Sequence, residues 1–384
     1  MKCEQLFTCI DNLQEKYIDI WEELCLIESP TEHKAGVDAA GRYIAEAARR
    51  LGFDVKTFMQ ERAGDVVSIT MNKDATLAPV IFSGHIDTVH AVGAFGTPAV
   101  TRKDGSLHGP GVADCKGGVV ASLMAMHALR DVGFTTRPIK LILQTDEENG
   151  SLSSGKDTLR ILLEESRGAI AFLNCEATRG ASAVMTRKGI VRFTFTVKGK
   201  AAHASKCPEG VSAICEAAHK IIELEAMKDM DAITCSCGLI SGGTASNTVP
   251  DACTFEADFR FHTDEQVAYI RNLVRRIADT SHTGASSTVE EISYRPAMVQ
   301  SEKNDRLLDQ MNRIYRENGM PELIGRLSLG GSDASYTTNA GIPTVDSIGV
   351  DGDFVHTTRE YAVIRSLSEA AKRVAAIAYC IEEQ

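Results

Sequence analysis

The chain has 384 residues, 43% of them apolar and 24% charged, too long for one ordinary core and typical in composition of a soluble protein with two domains. A net charge of −11 without any basic block argues against nucleic acid and anionic membranes as partners. Eleven cysteines are scattered with no CxxC pair, which suits a reducing compartment and not a disulfide framework.

The opening stretch MKCEQLFTCIDNLQEKYIDIWEELCLIES interleaves acids with apolar residues at helical spacing. It lacks a signal-peptide core and a long apolar span, so it predicts an amphipathic helix and a cytoplasmic protein. After helices reaching AARRLGF, the apolar runs DVVSITM, APVIFSG, KLILQT and AIAFLN alternate with helical stretches such as GGVVASLMAMHALRDVGF. That is the pattern of an α/β sheet with much parallel pairing. An Asp-Gly turn signal in RKDGSLHGPG predicts a local hairpin or loop before the helix.

Near Thr186 the period changes to two. The strand VRFTFTVKGK leads to the helix EGVSAICEAAHKIIELEAM, then to the strands AITCSCGLISGG and CTFEADFRFH. The helix DEQVAYIRNLVRRIADTS and the strand STVEEISYRP complete a β-α-β-β-α-β order, which predicts a ferredoxin-like split unit. The α/β pattern then resumes with the helix NDRLLDQMNRIYRENG, the strand PTVDSIG and a closing helix. The expected organisation is an α/β domain over residues 1–185 and 296–384, interrupted by a smaller domain at 186–295.

In open α/β sheets the ligand crevice lies outside the carboxyl ends of the strands. Polar clusters fall at such ends: His85 and Asp87 in SGHID, Asp146, Glu147 and Glu148 in LQTDEENG, Glu176 in FLNCEA, and His356 in GDFVHT. A fifth, GPGVADCKGG, puts Asp114 in a Gly-rich loop before a helix. Each alone reads as a surface group. Together they imply a cation, because so many acids in one crevice would otherwise raise one another's pKa values. The nitrogen and oxygen donors suit zinc, with manganese or cobalt as substitutes. Five donors exceed one tetrahedral zinc with an open position and suit two metals about 3.5–4 Å apart sharing a carboxylate. Residues i and i+2 of a strand point the same way, so Asp87 can lie behind the imidazole of His85 and fix its tautomer. Spacing does not say which of Glu147 and Glu148 binds metal and which handles protons.

SGHIDTV, GPGVADCKGG, TDEENGS, NCEAT, GKAAHAS, SNTVPDACTFEADFR, GGSDASY and FVHTTREY, in this order, resemble the dinuclear zinc family of acetylornithine deacetylases, succinyl-diaminopimelate desuccinylases and glutamate carboxypeptidases. The phrasing is most similar to the glutamate carboxypeptidase branch. The resemblance implies a zinc-exopeptidase-like catalytic domain, its mostly parallel sheet flanked by helices, with an inserted ferredoxin-like α+β domain serving as lid and dimer interface. It implies two zinc ions per subunit, one on His85 and Glu176, the other on Glu148 and His356, bridged by Asp114. It makes Glu147 the general base and Asp87 the acid orienting His85. His203, otherwise a surface residue at a strand tip, becomes an oxyanion-stabilising histidine reaching the other subunit of a homodimer. Asn247 and Arg260 would hold substrate, Arg260 reading otherwise as a salt bridge across the sheet, and the loop around Gly330 and Gly331 would approach substrate with its N–H groups.

The implied reaction is hydrolysis of an amide, peptide or N-acyl, beside a free carboxylate, on a small peptide or an N-acyl amino acid. The alternatives are an N-acyl-amino-acid deacylase and a non-catalytic metal-binding protein. The chain departs from many relatives at Cys115, beside Asp114, which reads either as a reactive thiol or as a packed small side chain, packing being the better reading. VADCKGG lacks the GK[ST] ending of a phosphate loop and no G-x-S-x-G occurs.

Overall fold

In the computed structural model, which describes residues 2–383, the apolar runs form the middle of an eight-stranded sheet. Its order is Asp54–Phe58, Val66–Met71, Ile139–Gln144, Val80–His85, Ala171–Asn174, Thr344–Asp346, Ser182–Arg187 and Ile324–Ser328. Val80–His85 pairs in parallel with Ile139–Gln144 on one side and Ala171–Asn174 on the other, and Thr344–Asp346 continues the parallel set. Val66–Met71 runs antiparallel to Ile139–Gln144 and carries the edge strand Asp54–Phe58.

Both faces of the sheet are covered, which is why the central strands read as continuous apolar runs. Alternate residues serve opposite cores. Phe82, Leu141, Leu143 and Leu173 join the helices Glu4–Leu26, Lys116–Asp131 and Ser366–Cys380. Ile81, Ile142 and Phe172 pack with Leu159 and Leu162 of the helix Asp157–Glu165. The strands Asp54–Phe58 and Ile324–Ser328 lie at the edges and are largely exposed, so no apolar run announces them.

A second, four-stranded sheet orders Gly352–Asp353, Tyr361–Val363, Ser106–His108 and Thr101–Lys103. The expected hairpin is here: Lys103 pairs with Ser106 across Asp104 and Gly105, both with positive φ, as a two-residue turn of this kind requires. Pairing of Tyr361 with His108 brings the loop after Gly352–Asp353 beside the loop that carries Asp114.

Thr186–Val299 together with Ser328–Gly331 forms a separate unit. Its antiparallel sheet orders Thr234–Gly242, Ala252–Phe261, Gly189–Lys198 and Ser286–Arg295. The helices Ala213–Glu225 and Asp264–Asp279 share one core with its buried face, including Phe193, Phe195, Phe255 and Phe259. This is the ferredoxin-like split unit expected from the period-two strands. Among the described residues no helix is long and apolar enough to cross a membrane.

Candidate metal centre

Three neighbouring parallel strands deliver the first donors. His85 ends the middle strand, Gln144 ends one neighbour and leads into Glu147 and Glu148, and Asn174 ends the other and leads to Glu176. The carboxylates thus flank the histidine because of strand order. Asp114 comes from the loop before the helix Lys116–Asp131. That helix reaches the sheet closely because of Gly118: a Cβ there would overlap the carbonyl of Cys175, next to Glu176. His356 does not sit at the end of a core strand, as its sequence context predicts. It lies in the loop between Gly352–Asp353 and Tyr361–Val363, with a φ of 61°, and the small sheet carries it to Asp114.

The five predicted ligands converge. Asp114 places Oδ1 3.0 Å from His85 Nε2 and Oδ2 3.2 Å from His356 Nε2. His356 Nε2 is also 3.2 Å from Glu148 Oε2, and His85 Nε2 is 3.7 Å from Glu176 Oε2. One carboxylate therefore stands between two imidazoles, each with a second carboxylate at hand. His85 is buried, while the side chain of His356 is 55% exposed and forms the open side. Cys115 is buried, and its thiol donates to the Cys175 carbonyl at 3.2 Å. Ligand atoms of His85, Cys115 and Glu176 also fall within 4.8 Å of one another, as do those of His85, Asp114 and Glu148.

Asp87 stands behind His85 as expected. The imidazole Nδ1 is 3.0 Å from the Asp87 carbonyl and 3.4 Å from its Oδ1. The same carboxylate accepts from the backbone N–H of Glu147 at 3.3 Å and of Glu148 at 3.2 Å. It also accepts from the Thr31 hydroxyl at 2.8 Å. Asp146 turns away, accepting from Ser154 N–H and the Thr158 hydroxyl.

Electrostatics test the fit of a cation pair. Burial lifts Glu148 to about 8, and the charge of Asp114 adds to it. Burial also lifts Glu176 to about 8, against the pull of His85. Hydrogen bonds to Asp114 and Glu148 push His356 up to about 11. Burial opposes a charge on His85, yet Glu176, Cys115, Asp114 and Asp87 hold its pKa well above the usual histidine range. Asp114 shows the reverse: its burial is outweighed by hydrogen bonds from His356 and His85, which keep it well below the usual carboxylate range. The cluster is short of positive charge, and two divalent cations on nitrogen and oxygen donors fit it.

The remaining predicted residues belong to the smaller unit. His203 pairs with Thr248, and the Asn247 carbonyl accepts from Ala204 N–H at 2.9 Å, so His203 and Asn247 are neighbours. His203 is exposed, with Nδ1 2.8 Å from the Ser205 hydroxyl. Arg260 binds Asp258, two residues before it on the same strand, through Nε and Nη2 at 2.6 and 3.2 Å, so its salt bridge runs along the strand and not across the sheet. The cross-strand partner of Asp258 is Arg192, whose Nε lies 2.7 Å from Oδ2. The carbonyls of Gly330 and Gly331 accept from Arg187. Sequence reasoning missed Thr31, whose hydroxyl is ordinary in any loop. It also missed Glu360, whose only signal is its place four residues after His356.

The sequence matches the family described as Peptidase family M20/M25/M40 over residues 81–379. It is 28% identical over 383 residues to carboxypeptidase G2 of Pseudomonas sp. (strain RS-16), covering 96% of this chain and 91% of that protein. It is 30% identical over 210 residues to acetylornithine deacetylase of Myxococcus xanthus, covering 51% of this chain and 53% of that one. Among solved structures, a tripeptidase from Staphylococcus aureus superposes with a TM-score of 0.77 at 25% identity, over 95% of this chain and 97% of that one.

Proposed function

This chain belongs to Peptidase family M20/M25/M40, a metal-dependent peptidase and amidohydrolase family, and from that premise we propose that it cleaves an amide bond beside a free carboxylate, as a carboxypeptidase does. The observation that carries the reading is Asp114, one oxygen at 3.0 Å from His85 and the other at 3.2 Å from His356. A carboxylate so placed would hold two cations, which we assign as zinc. His85 and Glu176 complete one side, Glu148 and His356 the other. When bound, the ions supply Lewis-acid polarisation of a carbonyl and lower the pKa of a water toward about 7.

The chain's own residues do the rest. Glu147 lies in the same turn as Glu148, and its charge acts on both Glu148 and Glu176. It takes the proton of the attacking water and returns a proton to the leaving amine nitrogen as the C–N bond breaks. Asp87 fixes the tautomer of His85 and, through two N–H groups, the course of the Glu147–Glu148 turn.

His203 acts on the developing oxyanion in the partner subunit of a homodimer, with Asn247 beside it, and the smaller unit serves as interface and lid. Its strand Thr234–Gly242 is an edge, with Leu239 and Ile240 exposed by 64% and 56%, and an uncovered apolar edge invites pairing. Arg260 contributes its guanidinium to the substrate carboxylate, and the Gly330–Gly331 loop approaches the substrate through its backbone.

The test is hydrolysis by zinc-loaded protein of dipeptides, N-acetyl amino acids and N-acyl glutamates side by side. Cleavage of peptides or N-acyl glutamates with a free terminal carboxylate supports the carboxypeptidase reading. Cleavage confined to N-acetyl amino acids makes the chain a deacylase, and no cleavage by protein holding two ions refutes the hydrolase.

A further inference from the structure

Glu360 is 1% exposed and lies between His356 and the strand Tyr361–Val363. Oε1 accepts from the backbone N–H of Ala113 at 3.0 Å and of Asp114 at 3.1 Å. Oε2 accepts from the N–H of Gly111 at 3.3 Å and lies 2.9 Å from His90 Nε2. The Glu360 carbonyl accepts from Gly109 N–H at 3.4 Å. One buried side chain therefore joins three stretches: the segment just after Asp87, the loop that carries Asp114, and the loop that carries His356. His90 is held in turn by an edge-on contact with Phe95, at 4.8 Å between ring centres.

Only a carboxylate meets this demand. Every backbone partner is a donor, so both oxygens must accept, and the Gly111–Asp114 stretch turns its N–H groups inward to reach them. No water is needed to satisfy these buried donors, and none of the five metal donors is used. The arrangement has nothing to do with covering a core, since an apolar residue would leave three buried N–H groups without acceptors.

We propose that Glu360 is a positioning residue for the bridging carboxylate: it fixes the Gly111–Asp114 loop so that the two oxygens of Asp114 face different ions, and it sets the distance between the His85 and His356 halves of the centre. The proposal rests on the dinuclear reading given above. It makes the pairing of the two ions depend on a residue that touches neither of them, and it assigns His90 to the same support.

Cobalt(II) titration of metal-free protein, followed by its visible absorption, measures both sites separately from turnover. Glu360→Gln keeps the size of the side chain but turns an NH₂ toward at least one N–H. The variant is expected to bind one of the two ions about tenfold or more weakly, and the thermal midpoint of the metal-free protein falls modestly because one buried N–H loses its acceptor. Its turnover deficit should recover as cobalt is raised, with KM unchanged. A loss of affinity under about fivefold at both sites overturns the proposal, as does a fall in metal-free stability with affinities intact, which is what a purely structural residue would give. Should Glu360→Gln fail to fold, His90→Asn removes one of the four partners and is judged by the same titration, about threefold being the dividing line. Wild-type protein that takes up no pair of ions would overturn the dinuclear reading and this one together; normal wild-type uptake with an unaffected variant overturns this one alone.

Discussion

Asp87 touches His85 twice, with its carbonyl 3.0 Å and its Oδ1 3.4 Å from the imidazole Nδ1. The carboxylate is fully buried and also accepts from Glu147 N–H, Glu148 N–H and the Thr31 hydroxyl. Asp87→Ala would leave these donors unmatched and free the imidazole to turn. Metal affinity is expected to fall about 10–100-fold, with a lower thermal midpoint. Zinc competition against a chromogenic chelator measures the first. Unchanged affinity would mean that the backbone carbonyl alone orients His85.

Glu147→Gln separates proton transfer from metal binding. Glu147 is not among the five donors that converge on the centre, so the variant should keep both ions. Turnover is expected to fall about 10²–10⁴-fold, the usual contribution of a general base, with KM little changed. Metal analysis beside steady-state kinetics decides it. Loss of metal in step with activity would make Glu147 a ligand.

How much of this was legible depended on the range over which each signal acts. The pairing of His85 with Asp87 follows from strand alternation, a local rule, and could be read from five letters. The flanking of His85 by Glu148 and Glu176 needs strand order, which the α/β pattern suggests without specifying. His356 misled, because an apolar run before it resembles a core strand, whereas the chain there makes a two-residue strand and a left-handed turn. Glu360 was illegible. Its partners lie 246 to 270 positions away, and a lone glutamate in a loop has no pattern until the loop opposite folds back on it. The edge strands were silent for the opposite reason: they bury too little to impose a period.

The proposed sharing of His203 across a dimer has a quantitative consequence. Mixing equal amounts of His203→Ala and Asp114→Ala protein gives heterodimers in which one site carries both defects and the other carries none. Random exchange of subunits should restore about a quarter of wild-type activity. Ile240→Lys, placed on the exposed edge strand Thr234–Gly242, should shift the protein to monomer in light scattering and abolish that recovery. A monomeric variant with full activity would confine the whole site to one chain.

Tyr17 and His127 give a pH dependence unrelated to the metal centre. The Tyr17 hydroxyl lies 3.0 Å from His127 Nδ1, joining the helix Glu4–Leu26 to the helix Lys116–Asp131, and His127 Nε2 faces Asp131 at 3.3 Å. Burial pulls the pKa of His127 down to about 4, only partly offset by Asp131. The folded protein therefore binds fewer protons here than the unfolded chain, whose histidine titrates near about 6.5. The resulting stability is complete above that value and is lost as pH falls from there through about 4. Between pH 7 and pH 4.5 this single group should remove about 2 kcal/mol of unfolding free energy. His127→Gln, which can still accept from Tyr17 but does not titrate, should lose that much less than wild type in urea unfolding over the same interval. Parallel losses in the two proteins would place the acid sensitivity in the carboxylates instead.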